Sequence, residues 1–209
     1  MSKEITKEEA KALITELANK SRRSIIGIIG KPGGGKSTLS KFLIKGMDPA
    51  LVCVVPMDGF HLSNKVLKEL GRSERKGAPD TFDVNGFLNL IERIKSDNSQ
   101  PIYYPIFDRS HEESIAAQGV VTAATKVVII EGNYLLHDEG GWEVCNDLLD
   151  ESWMVDVDDD KRIARLISRH IAYGKEPEAA KAWAKGTDEV NAKLIERGRG
   201  RADYIVAID

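Results

Sequence analysis

The sequence predicts an α/β domain: a mostly parallel sheet of roughly five strands with helices on both faces, three layers in all. Three observations carry that expectation. Short apolar runs recur at residues 24–29, 51–55, 127–130, 153–157 and 204–208. Between them lie segments with apolar residues at helical spacing. A glycine-rich turn joins the first run directly to a helix.

The elements follow in order. Thr6 and Glu9 form a capping box, and Ala10, Leu13, Ile14 and Leu17 then share one face, so residues 1–23 read as an N-terminal helical segment. Residues 24–29 are a β-branched, buried strand; 30–35 are the turn; 37–45 form a helix closed by Gly46. A second strand, 51–55, is stopped by Pro56. Residues 63–70 read as a weaker helix, and 71–79 as a basic loop bearing Gly and Pro. Asp83 is an N-cap ahead of Val84, Phe87, Leu88, Ile91 and Ile94, which fall on one helical stripe to residue 95. Residues 102–107 read as extended. Strands at 127–130 and 153–157 precede a helix over 158–173, within a lid region expected over about 158–186. A helix over 187–197 and a strand over 204–208 close the chain. No repeat, low-complexity tract or linker interrupts the 209 residues, so 1–209 is expected to be a single domain.

Composition excludes several classes. Thirty Lys and Arg against 33 Asp and Glu give a net charge of −3, where a nucleic-acid-binding domain is usually clearly basic. The longest apolar runs span only a few residues, too few to cross a bilayer, and the N-terminus is charged where a signal peptide is apolar. Cys53 and Cys145 have no CxxC partner, which suggests neither a zinc site nor a disulfide framework. The expected location is cytoplasmic, with neither nucleic acid nor membrane as partner.

The stretch Gly30-Lys31-Pro32-Gly33-Gly34-Gly35-Lys36-Ser37 fits GxxxxGK[ST] without a mismatch, after a strand and before a helix. Glycines let successive N–H groups turn inward around a phosphate, and the helix N-terminus adds its positive dipole end. Gly30, Gly33, Gly34, Gly35, Lys36, Ser37 and Thr38 are therefore the expected nucleotide-binding residues. Lys36 would reach the β- and γ-phosphates, and Ser37 would ligate Mg²⁺. The expected fold becomes a P-loop NTPase domain with a small lid helix. A switch GTPase needs Asn-Lys-x-Asp, but Asn64-Lys65-Val66-Leu67 lacks the Asp and lies too early; a transporter ATPase needs a Ser-Gly-Gly signature, which is absent. A small kinase remains.

Four features support it. Asp58 follows the second strand, where a carboxylate could take the proton of an attacking hydroxyl, help hold the metal, or merely cap a turn. Glu131 ends the run Val127-Val128-Ile129-Ile130 in the Walker B manner, placed to bind Mg²⁺ directly or through water. Arg162, Arg165 and Arg169 form one helical stripe, read either as a lid facing the transferring phosphoryl group or as a solvated basic face. Tyr103 to His111 mixes aromatics with Asp108, Arg109 and His111, which suits a pocket for a polar acceptor or a surface loop with buried aromatic anchors. Neither His61 nor His111 earns an acid–base role from sequence.

With these pieces in order, the chain resembles the uridine kinase, phosphoribulokinase and bacterial type I pantothenate kinase family from residue 24 to the end. The matching pieces are the phosphate loop, Met57-Asp58-Gly59-Phe60, Lys76-Gly77-Ala78-Pro79-Asp80-Thr81-Phe82-Asp83, Tyr104 to His111, Ile130-Glu131-Gly132, the Arg162 to Arg169 lid, and Ala202-Asp203-Tyr204-Ile205-Val206. The resemblance implies Asp58 as catalytic base, Ser37 and Glu131 as metal-side ligands, and Arg165 and Arg169 as lid arginines. It places Asp83, Tyr104, Arg109 and His111 against the acceptor. The Asp58-Gly59-Phe60 wording is closer to pantothenate kinases and the lid closer to uridine kinases. The Asp108-to-His111 stretch is more like a bacterial branch described as nucleoside or nucleotide kinases.

The expected function is ATP- and Mg²⁺-dependent phosphoryl transfer to a hydroxyl of a nucleoside, sugar or pantothenate-like metabolite, with Lys36, Asp58, Arg165 and Arg169 as catalytic groups. Two alternatives stand beside it. One is a nucleoside monophosphate kinase using Arg72, Arg75 and Lys76; the other is a regulatory ATPase with slow hydrolysis. The expected partners are ATP and the acceptor, and a homodimer is left open.

Overall fold

A computed structural model describes residues 2–96 and 99–208; Met1 and Asp209, the ends of the expected domain, lie outside them. The chain order is β1 (Lys3–Thr6), α1 (Lys7–Ala18), β2 (Ser24–Ile29), α2 (Lys36–Ile44), β3 (Val52–Pro56), α3 (Asn64–Glu69), α4 (Val84–Ser96), β4 (Ile102–Asp108) and β5 (Glu113–Val121). It continues through β6 (Val127–Gly132), α5 (Cys145–Leu148), β7 (Glu151–Asp156), α6 (Asp159–Ala172), α7 (Pro177–Lys185), α8 (Thr187–Glu196) and β8 (Tyr204–Ala207).

Six strands form one parallel sheet in the order β1-β8-β7-β2-β6-β3. The period of two along each strand divides the core. Ile26 and Ile28 of β2, with Val127 and Ile129 of β6, pack against Ala10 and Ile14 of α1 and Leu39 and Leu43 of α2. Ile25 and Ile29, with Val128 and Ile130, face Phe87, Ile91 and Ile94 of α4 and Ile195 of α8. The central strands β2 and β6 bury both faces, which is why their sequences are largely apolar runs.

The structure corrects the strand count from five to six. The additional strand is β1, inside the segment expected to be helical. Only Ile5 of its four residues is buried, so it carries no apolar pattern, and its parallel pairing with β8 makes it a strand. The capping box is present: Glu9 N–H donates to Thr6 Oγ1 at 3.2 Å and Thr6 N–H to Glu9 Oε2 at 2.8 Å, starting α1 at Lys7.

A second departure is an antiparallel hairpin of β4 and β5, separate from the main sheet. Residues 102–107 are extended as expected, but β5 carries mostly half-exposed and exposed residues and has no apolar run to announce it. The lid region holds two helices, α6 and α7. Leu166 of α6 sits so close to the phosphate loop that a Cβ on Gly33 would fall 2.6 Å from its Cγ.

Candidate functional site

The site lies outside the carboxyl ends of the central strands, where open parallel sheets gather ligands. β2 ends at Ile29, and the following loop turns into α2 through Gly33 (φ 73°) and Gly35 (φ 87°), left-handed conformations that glycine adopts without strain. Gly34 N–H donates to the Lys31 carbonyl at 2.9 Å, closing the turn. Lys36 Nζ donates to the carbonyls of Gly30 at 2.9 Å and Lys31 at 3.3 Å. Burial holds its ammonium below the usual lysine range, opposed by the carboxylates of Glu131 and Asp58. Thr38 is exposed in the first turn of α2, away from the cavity lining.

β6 runs beside β2 and brings Glu131 to this end. Ser37 Oγ donates to Glu131 Oε1 at 2.5 Å, and Ser40 Oγ to Oε2 at 3.1 Å. The two expected metal ligands are thus in contact across 94 residues of sequence. β3 pairs with β6 so that Pro56 stands level with Glu131, which puts Asp58, two residues on, at the same end of the sheet.

Of these groups, Lys36, Asp58 and Glu131 open on a cavity of about 580 Å³, within the range of small-molecule sites. Lys36, Asp58, Arg109, Glu131 and Arg169 all line it. Asp58 accepts a 2.8 Å hydrogen bond from Arg109 Nη2, so the expected base and the expected acceptor clamp form an ion pair. Burial lowers the Arg169 guanidinium pKa, and Arg109 adds like-charge repulsion. Arg165 lies along the phosphate loop: a Cβ on Gly35 would stand 3.6 Å from its Nη1.

Other expected residues sit elsewhere. Arg162, read with the lid stripe, is a core residue at 1% exposure; Nε bonds Asp159 at 2.7 Å and Nη2 bonds Glu189 at 2.6 Å, tying α6 to α8. Tyr104 is buried and donates its hydroxyl to the Val54 carbonyl at 2.9 Å, anchoring the hairpin on β3 rather than meeting an acceptor. Asp83 is outside the cavity lining; its Oδ1 takes the Gly86 N–H at 2.9 Å as the N-cap of α4. His111 is largely exposed beside Asp108 and Ser110, also outside the lining.

Sequence reasoning gave no role to His61 and did not single out several other lining residues. His61 packs between Phe82 (4.1 Å between ring centroids) and Phe107 (4.9 Å). Its Nδ1 lies 2.8 Å from the Asp58 carbonyl, which can only accept, so Nδ1 carries the proton. Burial holds its pKa below the usual histidine range. His170, at the end of α6, donates Nε2–H to Asp188 Oδ2 of α8 at 2.7 Å, and Trp183 of α7 stands beside it. Lys175 Nζ lies 4.3 Å from the Trp183 ring centroid. His61 directly follows the Met57-to-Phe60 stretch but earned no role from sequence, and no motif marks His170, Lys175 and Trp183, which only the folding of α6, α7 and α8 brings to the cavity. Among the described residues, no helix is long and apolar enough to cross a membrane.

Comparison with known proteins identifies the family and the fold. The model of the phosphoribulokinase / uridine kinase family matches residues 25–208. The Schizosaccharomyces pombe protein named "Putative uridine kinase C227.14" is 30% identical over 202 residues, covering 91% of this chain and 86% of that one. A solved structure, the "putative fructose transport system kinase" of Silicibacter sp. TM1040, superposes with a TM-score of 0.86 at 38% identity, covering 98% of this chain and all of the other. YFH7 of Saccharomyces cerevisiae, described as "a putative P-loop containing kinase with a circular permutation", shares the fold at TM-score 0.78 and 19% identity, covering 98% and 99% of the two chains. A match along nearly the whole chain places it: the protein has the P-loop NTPase fold, belongs to the phosphoribulokinase / uridine kinase family, and is an ATP-dependent kinase.

Proposed function

We propose that the protein transfers the γ-phosphoryl group of ATP, with Mg²⁺, to a hydroxyl of a small metabolite such as a nucleoside, a sugar or a pantothenate-like compound. The observation that carries this reading is that Asp58 and Lys36 line one cavity of metabolite size. A nucleotide switch needs no carboxylate of that kind facing an acceptor-sized space.

The Ser37 hydroxyl and Glu131 carboxylate, 2.5 Å apart, are hard oxygen donors of the kind Mg²⁺ takes alongside waters and phosphate oxygens, so the residues fit the ion. When bound, Mg²⁺ supplies charge neutralisation on the β- and γ-phosphates. The loop amides and Lys36 hold those phosphates, the ammonium exchanging its two loop carbonyls for phosphate oxygens. Asp58 orients the acceptor hydroxyl and takes its proton as the new O–P bond forms. Arg169 faces the charge that develops on the transferred group, supported by Arg165 along the loop.

The nucleoside monophosphate kinase alternative loses two of its three cations. Arg72 donates to the Asp80 carbonyl at 2.7 Å, and Arg75 is paired with the Asp80 carboxylate, leaving Lys76 alone in the lining. The test is ADP release across hydroxylated metabolites, with ³¹P NMR of the product. Stimulation by one compound, formation of its phosphate ester and abolition by EDTA are expected. Slow ADP release that no hydroxylated compound accelerates would favour the regulatory ATPase instead.

A further inference from the structure

The cavity lining carries Lys36, Arg169 and Lys175, and two further cations, Lys76 from the loop after α3 and Arg109 from the end of β4, face it together with the carboxylates of Asp58, Glu112, Glu131 and Asp188. Both lie against one ring: Lys76 Nζ and Arg109 Cζ are each 5.0 Å from the Phe107 centroid. The Lys76 side chain is only 18% exposed, and its hydrogen bonds, both 2.7 Å, go to neutral acceptors, Asn64 Oδ1 and the Glu112 carbonyl. The Glu112 carboxylate stands back at 4.0 Å. Arg109 gives Nη2 to Asp58, one of the five N–H donors a guanidinium carries.

Bringing these cations together is unfavourable by itself. Burial lowers the Lys76 pKa and Arg109 lowers it further, against the opposing pull of Glu112 and Glu113. Arg109 also acts against the charged forms of Lys36, His61 and Arg169. Partly dehydrated like charges around one aromatic ring are relieved when an anion bridges them, and charge-assisted hydrogen bonds are the strong ones in such a site.

We propose that Lys76 and Arg109 seat an anionic group of the acceptor itself, a carboxylate or a phosphate, so that the acceptor is a hydroxylated anion and not a neutral sugar or nucleoside. This rests on the phosphotransfer reading, because Asp58 beside Arg109 is what makes the seat part of the acceptor subsite. The Asp58–Arg109 pair also sets the scale. An anion on Arg109 is one side chain away from the carboxylate that takes the hydroxyl proton, so the anionic group and the reacting hydroxyl are only a few bonds apart. An anion that competes for the guanidinium leaves the Asp58 carboxylate to the hydroxyl.

The experiment uses matched acceptors: glycerol, D-glycerate and glycerol 3-phosphate; fructose, gluconate and fructose 6-phosphate; panthenol and pantothenate. ADP release is measured with each. In parallel, tryptophan fluorescence, with Trp183 in the cavity wall, is titrated with glycerol, D-glycerate and glycerol 3-phosphate while a non-hydrolysable ATP analogue fills the phosphate loop. Anionic members alone should act in both assays, and the carboxylate and phosphate arms tell which anion the seat takes. Lys76→Gln should weaken the anion response by roughly 10-fold or more with the ATP KM within about 3-fold, the scale of one lost charge-assisted hydrogen bond. Arg75→Gln, on the same loop but paired with Asp80, should change neither. Neutral members acting as well as anionic ones, no saturable anion response, or an unaltered Lys76→Gln overturns the seat. Anion binding that depends on Lys76 without phosphoryl transfer to any acceptor upholds the seat and overturns the phosphotransfer reading.

Discussion

Asp58 Oδ2 and Arg109 Nη2 are 2.8 Å apart, joining the end of β3 to the end of β4 across 51 residues of sequence. In the proposed reaction, the pair couples the general base to the hairpin of β4 and β5. Asp58→Asn removes the basic oxygen and keeps the size. It should lower kcat by about 10²–10⁴-fold, the scale of a lost general base. Nucleotide affinity by calorimetry should stay within a few-fold, and an equal loss of both would instead make Asp58 a structural or metal-holding group.

Lys36→Ala should cut turnover by at least ~10³-fold, comparable to the loss of a principal electrostatic group. Its ammonium, bonded to the Gly30 and Lys31 carbonyls, is the buried cation of the phosphate loop. Near-normal turnover and ATP affinity in the variant would remove the phosphate-clamp assignment.

Tyr104→Phe separates a core residue from a substrate contact. It deletes the hydroxyl that bonds the Val54 carbonyl, which should lower stability in urea unfolding by about 0.5–1.5 kcal/mol, the net worth of a hydrogen bond. The KM of any acceptor should not move. A raised acceptor KM at unchanged stability would return Tyr104 to the pocket.

Arg162→Met should destabilise by about 2–3 kcal/mol, below the usual figure for breaking a buried pair because the carboxylates left behind keep solvent contact. Asp159 is 57% exposed and Glu189 30% exposed. Urea midpoints of the two proteins measure it, and a loss of activity at full stability would put Arg162 with the lid arginines after all.

His61 makes stability depend on pH. Its folded pKa lies below the ordinary histidine value because the ring is buried, so between the two values the unfolded chain binds the proton and the folded chain does not. Stability should therefore fall as pH drops through that window and level off below the folded pKa, by at most about 1.4 kcal/mol per pH unit. His137 is shifted the same way, so the informative quantity is the difference between wild type and His61→Asn in urea unfolding at pH 7.5 and 5.5. A variant that loses as much as the wild type would exclude His61 as the source.

The sequence by itself determined the central strands and the glycine turn that joins β2 to α2, because each rests on local order. A short apolar run such as Val127 to Ile130 makes a strand buried on both faces, and glycines next to a lysine and a serine make a phosphate cradle wherever a strand meets a helix. It also determined the α1 capping box, whose partners are three residues apart. β1 and β5 were illegible for the complementary reason: they are strands through pairing, with too few buried side chains to leave a pattern. Only the tertiary structure decided which polar residues share the cavity. Arg162 and Arg169 lie on one helical stripe, yet α8 covers the first with Glu189 while the second reaches the cavity. Lys76, Phe107 and Arg109 meet because the hairpin folds against the loop after α3, and Tyr104, three residues before Phe107, turns into the core instead. Periodicity states which residues share a face; what that face meets is set by packing between elements far apart in the chain.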